Sequence, residues 1–335
     1  MGLLANLQVS GDLAGLVRSF LEEQKDTDCD LYRYLLGFQP SSRISFRQWW
    51  DLLEQLQLRY PQCFIGIELG LRIRPEFVGV LGHLLLSSDT LAQALQGFER
   101  YQRLLHDGDR AVTRIQDDLL CLSWTTDYGP SSRLSDEVLI TGMLTFVRRM
   151  VGDERLAAAA VHFSFSEPPE AEELAGVCGC DVRFSQASNA VFFHPQQLSL
   201  PVSKSNTELK QLLEQQAQAL MAVLPQEDLF TIRLREAMLA ALHSGQPFSG
   251  VVAARLHLSE RTLFRRLSGM GVTFREVLTQ IRVQLAKEYL LEGRLTQSEI
   301  ALLLGYSEQS AFNRAFRLAC GLPPLSWLKS QRRSV

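Results

Sequence analysis

The spacing of apolar residues changes period several times along the chain. Over residues 1–200 helical and alternating stretches interleave. Ile44-Ser45-Phe46-Arg47-Gln48-Trp49 reads as a helix start: Ser45 can cap, Gln48 can close a capping box, and Ile44 and Trp49 can staple the entry. That helix is predicted to run to about Tyr60, before Pro61. Leu91, Ala94, Leu95, Phe98, Tyr101 and Leu105 recur at helical spacing and predict a helix over 89–106, and a third over 135–150 follows. Residues 111–115 and 120–124 flank Asp117-Asp118 as a hairpin; 161–165 alternates like a half-buried strand, with short strands at 182–184 and 190–193. Residues 199–203 read as a loop leaving this domain. Next comes a helix over 206–224 with Leu209, Leu213, Leu220 and Leu224 along one side. Such a helix can pair with its twin in a dimer or pack on its own domain.

From residue 230 onward every pattern is helical, and one arrangement occurs twice. A short helix over 251–256, a turn at His257-Leu258 and a cap at Ser259 lead to a helix over 260–267. A short helix over 298–304, Gly305 at a position needing positive φ, and a cap at Ser307 lead to a helix over 308–318. Helix, tight turn, helix is the shape that lays its second helix in a major groove. Between the two lies a predicted helix over 273–291. Thr273 and Glu276 form its capping box, Val272 and Val277 a staple, and Phe274, Val277, Leu278, Ile281 and Leu285 one apolar stripe. Gly293 marks its end, and Thr296 with Glu299, flanked by Leu295 and Ile300, opens the next helix. A rod of about 27 Å suits two recognition helices entering successive major grooves, which lie roughly 34 Å apart on one face of DNA.

The expected fold is an α+β N-terminal domain over 1–200, a linker helix region over 201–229, and an all-α C-terminal domain over 230–335 with two helix-turn-helix motifs joined by a long helix. Charge sharpens that division. The chain of 335 residues carries a net −3, but residues 226–335 hold 15 Lys+Arg against 9 Asp+Glu, leaving the front acidic. A basic tail region fits a polyanionic partner. The composition, 46% hydrophobic and 21% charged, is ordinary globular. No apolar run approaches the roughly 18 residues of a membrane span. The N-terminus has no basic region before its leucines and carries Asp12 early, which makes a poor secretory signal. Six cysteines do not make a disulfide scaffold, so a cytoplasmic protein with reduced thiols is expected.

Candidate chemistry is sparse in the front domain. No nucleophile elbow, phosphate loop, zinc-protease or dinucleotide motif occurs. Cys178 and Cys180 supply two thiols, with His162 and His194 elsewhere, short of the four ligands and usual spacing of a zinc site. No metal, cofactor or catalytic residue is expected. Trp49, Trp50, Tyr101, His106, Trp124 and Phe165 could line an apolar ligand pocket or be plain core.

In the two recognition helices periodicity turns Leu263, Leu267, Phe312 and Phe316 inward. It turns Arg261, Phe264, Arg265, Gln309, Ser310, Asn313 and Arg314 outward as base-reading candidates. Arg can bond guanine O6 and N7 in bidentate fashion, and Asn or Gln can do so with adenine N6 and N7. Arg266, Arg275, Arg317 and Lys329 are candidates for phosphate contacts or solvated charges, and the helix N-termini at Ser259 and Thr296 can donate amides to phosphate.

The run Ile300-Ala301-x-x-x-Gly305-Tyr306-Ser307-x-x-Ser310-x-Phe312-x-Arg314-x-Phe316-x-x-x-x-Gly321-x-x-Pro324 resembles the signature of AraC/XylS-type transcription regulators, and Ser259-x-Arg261-Thr262-Leu263-x-Arg265-Arg266-Leu267 resembles their first helix-turn-helix. Residues 85–95 and 179–184 resemble the arabinose-binding-like sensor domain of the branch that includes the ornithine-utilisation regulator. The resemblance implies a regulator that binds double-stranded promoter DNA, commonly as a homodimer and commonly as an activator contacting RNA polymerase, with a small-molecule effector sensed by the front domain. A repressor or dual regulator of the same family is the alternative. Phe264 stands where the family often has a polar reader, and Leu328 where an Arg is common. Glu260 and Glu308 would repel phosphate, offset the helix dipole or accept from cytosine N4. An enzyme with a DNA-targeting module lacks any catalytic motif here, and a protein-only scaffold is hard to reconcile with outward arginines at 261, 265 and 314.

Overall fold

Residues 3–39, 42–224 and 229–332 are described by a computed structural model of the chain. It divides into two compact units. The front unit comprises Ala5–Thr125 and Ser131–Leu224, so the predicted linker helix belongs to it; residues 225–228 of the predicted linker lie outside the described residues.

In the front unit, β1 (Gln8–Ser10) pairs antiparallel with β2 (Arg43–Ser45). Helices α1 (Asp12–Glu23) and α2 (Asp30–Leu35) lie between these strands in the chain, and α3 (Phe46–Arg59), α4 (Ile65–Leu71), α5 (Gly79–Leu86) and α6 (Leu91–Tyr101) follow. The α3 start is as expected: Ser45 accepts from the Gln48 amide and the Gln48 side chain accepts from the Ser45 amide. Helix α6 is shorter than the predicted 89–106. Its end is pinned because the Gln102 side chain bonds both backbone groups of Ala111, at 2.5 and 2.9 Å, and Gln102–Leu104 tightens into a 3₁₀ turn.

A five-stranded sheet forms the β part, in the order β3 (Ala111–Gln116), β4 (Leu119–Trp124), β7 (Ala190–Phe193), β5 (Ala160–His162), β6 (Asp181–Arg183). The β3–β4 hairpin turns at Asp117 and Asp118, both left-handed with φ of 50° and 61°, the conformation a tight two-residue hairpin asks for. Only β5–β6 is parallel, with α8 (Ala171–Cys178) in the crossover. The predicted strand over 161–165 stops at His162. Beyond it the Ser164 amide turns to the Asn189 side chain at 2.8 Å, and the Phe163, Phe165 and Phe184 rings cluster. Helix α7 (Arg133–Val151) is the buried spine, and Gly66 and Gly70 of α4 let that helix approach Glu137, Thr141 and Gly142 so closely that a Cβ at either would collide. Helix α9 (Thr207–Val223) closes the unit, packed on α5 and fastened by Lys210 Nζ donating to Gln93 Oε1 at 2.9 Å.

The second unit is helical: α10 (Leu229–His243), α11 (Ser249–Arg255), α12 (Glu260–Gly269), α13 (Phe274–Glu292), α14 (Gln297–Leu303), α15 (Gln309–Cys320) and α16 (Pro324–Arg332). Leu3–Leu4 and Thr126–Pro130 also belong to it. Leu3, Leu234, Met238, Val252, Leu263, Leu267, Val277 and Ile281 form a core shared by α10, α11, α12 and the first half of α13. The second half of α13 and the helices after it bury Leu290, Ile300, Phe312, Phe316 and Trp327. In that second core the rings of Tyr306, Phe312, Phe316 and Trp327 meet in succession, with centroids 5.7–5.9 Å apart. Thr273–Glu276 and Thr296–Glu299 form the expected capping boxes, and Gly293 ends α13 in the left-handed conformation.

Candidate nucleic-acid interface

Each helix-turn-helix is built from local signals that repeat. In the first, the Leu258 amide reaches back to the Ala253 carbonyl at 2.9 Å, and Ser259 Oγ accepts from the Thr262 amide at 3.2 Å to open α12. In the second, the Tyr306 amide reaches the Ala301 carbonyl, also at 2.9 Å. The left-handed residue of each turn is His257, φ 56°, and Gly305, φ 70°. The predicted cap of the second recognition helix shifts by one residue: α15 begins at Gln309 with Glu308, not Ser307, in the N-cap position. The Glu308 carboxylate there accepts from Ser310 Oγ and lies 3.5 Å from Arg314 Nη2. Hydrogen bonding by Ser310 and the Arg314 charge hold that carboxyl below the usual carboxylate range.

Leu263 and Leu267, 0% and 1% exposed, and Phe312 and Phe316, both 1%, anchor the recognition helices. Burying one such side chain contributes about 1.5–3 kcal/mol, enough to decide which helix face looks outward. Arg261, Phe264 and Arg265 of α12 are exposed, as are Ser310 and Arg314 of α15. Gln309 and Asn313 are half-buried. Gln309 Nε2 donates to Gln297 Oε1 at 2.9 Å and its Oε1 accepts from Ser298 Oγ at 2.7 Å. The Asn313 Oδ1 atom is buried without a hydrogen bond. All the phosphate candidates, Ser259, Arg266, Arg275, Thr296, Arg317 and Lys329, are exposed, and the Arg266 guanidinium lies 4.9 Å from the Phe230 ring centroid.

One side chain that braces the second turn carries no signal in the sequence pattern. Arg282 of α13 donates from Nε to the Leu304 carbonyl at 2.7 Å and from Nη2 to the Gly305 carbonyl at 3.1 Å, with its guanidinium 4.6 Å over the Tyr306 ring. It satisfies carbonyls that the end of α14 leaves orphaned, and its charge suits a helix C-terminus. The long helix therefore holds the second turn directly. Periodicity could not flag Arg282, because it is a polar residue flanking an apolar stripe.

In the front unit the six aromatic candidates do different things. Trp49 is 2% exposed and donates from Nε1 to Ser135 Oγ at 3.1 Å. Trp50 and His106 each pack on the Phe46 ring, at 6.0 and 5.9 Å. Burial lowers His106 to about 4, so its ring is neutral near pH 7. Tyr101 accepts from Gln218 of α9 at 3.4 Å, Trp124 is buried at the end of β4, and Phe165 sits with Phe163 and Phe184. Trp50 Nε1, His106 Nδ1 and Trp124 Nε1 are buried polar atoms with no hydrogen bond. Burial raises the thiols of Cys178 and Cys180 to about 12 and about 11. Among the described residues no group of His, Cys, Asp and Glu could hold a metal ion, and no helix is long and apolar enough to cross a membrane.

On the dimer candidates, α9 turns Leu213 and Leu220 partly inward beside the buried Ala217, and Leu224 just beyond it is also half-buried; Leu209 is exposed.

Residues 35–202 match the family described as the arabinose-binding domain of AraC transcription regulator, N-terminal, and residues 252–330 match a helix-turn-helix domain family. The chain is 32% identical over 294 residues to the ornithine utilization regulator of Pseudomonas aeruginosa, covering 85% of this chain and 84% of that one. It is 26% identical over 264 residues to the HTH-type transcriptional regulator VirS of Mycobacterium tuberculosis, covering 77% of each. The crystal structure of transcriptional regulator CdpR from Pseudomonas aeruginosa aligns over 94% of this chain and 97% of its own, at 22% identity and a TM-score of 0.44. With a matching sensor domain ahead of two apolar-anchored recognition helices, the chain belongs to the AraC family of transcription regulators.

Proposed function

We propose that the protein is a cytoplasmic, non-enzymatic activator that binds promoter DNA as a homodimer, touches RNA polymerase and responds to a small-molecule effector held in the front unit. The observation that carries the DNA reading is the fastening of both recognition helices to one rod, α12 through the shared core and α14–α15 through Arg282. Arg261, Phe264, Arg265, Gln309, Ser310, Asn313 and Arg314 read bases in this proposal, and Ser259, Arg266, Arg275, Thr296, Arg317 and Lys329 meet phosphate. The rod spans 19 residues, about 28 Å.

Support for a dimer comes from the outer face of α9. Leu209, Leu212, Gln216, Ala219 and Val223 are all exposed and follow each other at spacings of three and four, the seam of a short coiled coil. The occupant proposed for this seam is the same helix of a second copy, with Gln216 at its centre setting the register.

Selection of duplexes from a random-sequence library, followed by footprinting, tests the reading. The expected result is two protected major-groove patches per protomer about 10 base pairs apart. One patch, or no selected sequence, would overturn it.

A further inference from the structure

The DNA-binding unit takes in five residues from the stretch between β4 and α7, Thr126–Pro130. Three of them in succession have partners there. Asp127 Oδ1 accepts from Arg235 Nη2 on α10 and from Gln284 Nε2 on α13 at 3.0 Å, while the Asp127 carbonyl accepts from Arg235 Nε at 3.2 Å. The Tyr128 carbonyl accepts from the Leu4 amide at 2.9 Å, and Tyr128 packs on the core. Gly129 adopts φ +101°, with the Gln280 side chain of α13 filling the space where a Cβ would be. The Asp127 and Arg235 side chains are only about a quarter exposed, at 26% and 23%.

The consequence is geometric. Helix α10 carries the first helix-turn-helix through its packing on α11, and α13 carries the second through Arg282. A charge-assisted pair that reaches α10 and α13 at once fixes the angle between them, and pairs of this kind are stronger and more directional than neutral hydrogen bonds. Resting on the two-groove DNA reading above, we propose that Asp127 is a positioning residue for DNA recognition: by joining α10 to α13 it sets the register in which the two recognition helices meet the duplex.

The test uses the full chain and two probes, the duplex selected above and the same duplex with one of its two patches scrambled. Wild type should bind the intact duplex more tightly. Asp127→Ala and Arg235→Ala should each lose that advantage by about tenfold or more, while affinity for the half-scrambled duplex stays within about twofold. The double variant should be no worse than either single change, as expected of one coupled unit. Asp127→Asn keeps an acceptor for both donors and should recover most of the loss. Equal losses on both duplexes, no loss on the intact one, or losses that multiply in the double variant would overturn the proposal. Should Asp127→Ala fail to fold, Gln284→Met removes one donor without touching charge; unchanged binding of the intact duplex by that variant overturns it as well.

Discussion

Gln309 donates to Gln297 at 2.9 Å, tying the first residue of the second recognition helix to the first residue of the helix before it. The first motif has the same tie in different chemistry: Ser249, first in α11, donates to Glu260, first in α12, at 2.5 Å. Each tie closes its motif across the turn, joining the start of the first helix to the residue that opens the second. Gln309 and Glu260 thus have a structural task before any DNA arrives.

Arg265→Ala and Arg314→Ala should each weaken binding to the selected duplex by about 1–3 kcal/mol, the worth of a bidentate base contact, and relax the preference at one position. Binding to unrelated DNA should change much less. Gel-shift titration on both duplexes checks this, and equal losses on the two would make these side chains phosphate contacts.

Glu308→Gln should strengthen binding to unrelated DNA a few-fold at low salt. It removes a carboxylate from the face proposed to meet DNA and releases Arg314 and Ser310. The gain should fade as salt rises, because exposed charges are screened beyond a Debye length of about 8–10 Å. A gain that persists in high salt would point to a rearranged helix start instead.

The two turns differ in a way thermal unfolding can read. Gly305→Ala puts a Cβ at a left-handed position and into Arg282 and Pro247, so a loss of about 1 kcal/mol or more is expected. His257→Gly relieves the same conformation in the first turn and should be neutral or stabilising by a few tenths of a kcal/mol. A clear loss from His257→Gly would show that the imidazole has a partner of its own.

Glu137 makes the stability of the front unit pH-dependent. It is fully buried; one oxygen accepts from Arg133 at 2.7 Å and the other has no partner. Burial raises it from 4.5 to about 7, and Asp136 beside it to about 6. A raised carboxyl pKa means that the folded chain keeps a proton the unfolded chain has released. Its contribution is therefore undiminished below the ordinary value and is lost as pH rises through the folded pKa. Glu137→Gln mimics the protonated form, so its melting temperature relative to wild type should climb between about pH 5 and about pH 8. His106 and His162, both lowered to about 4 by burial, add the opposite trend on the acid side, and the paired comparison cancels it. A difference that does not vary with pH would mean Glu137 is ionised in the fold.

Leu212→Glu should turn the proposed dimer into a monomer in sedimentation velocity without lowering the melting temperature of the front unit, since the residue is 64% exposed on the outer face of α9. Leu220→Glu, on the half-buried side, should destabilise the unit itself. A Leu212→Glu protein that still sediments as a dimer would place the interface elsewhere.

The helix starts at Ser45, Thr273 and Thr296, the left-handed Gly305, the inward Leu263 and Phe312 and the hairpin at Asp117-Asp118 were all legible in the sequence. Each rests on residues within a few positions of one another, where spacing dictates which side chain caps, turns or hides. Tertiary structure decided the rest. Periodicity placed four leucines on one side of α9, but packing on α5 chose which arc is covered, turning Leu213 and Leu220 partly inward and leaving Leu212 out. Asp127 finds Arg235 108 residues away, and Arg282 reaches carbonyls 22 and 23 positions on. A single polar residue announces no such partner, because a hydrogen bond depends on where two separate elements come to rest, and nothing in local spacing encodes that.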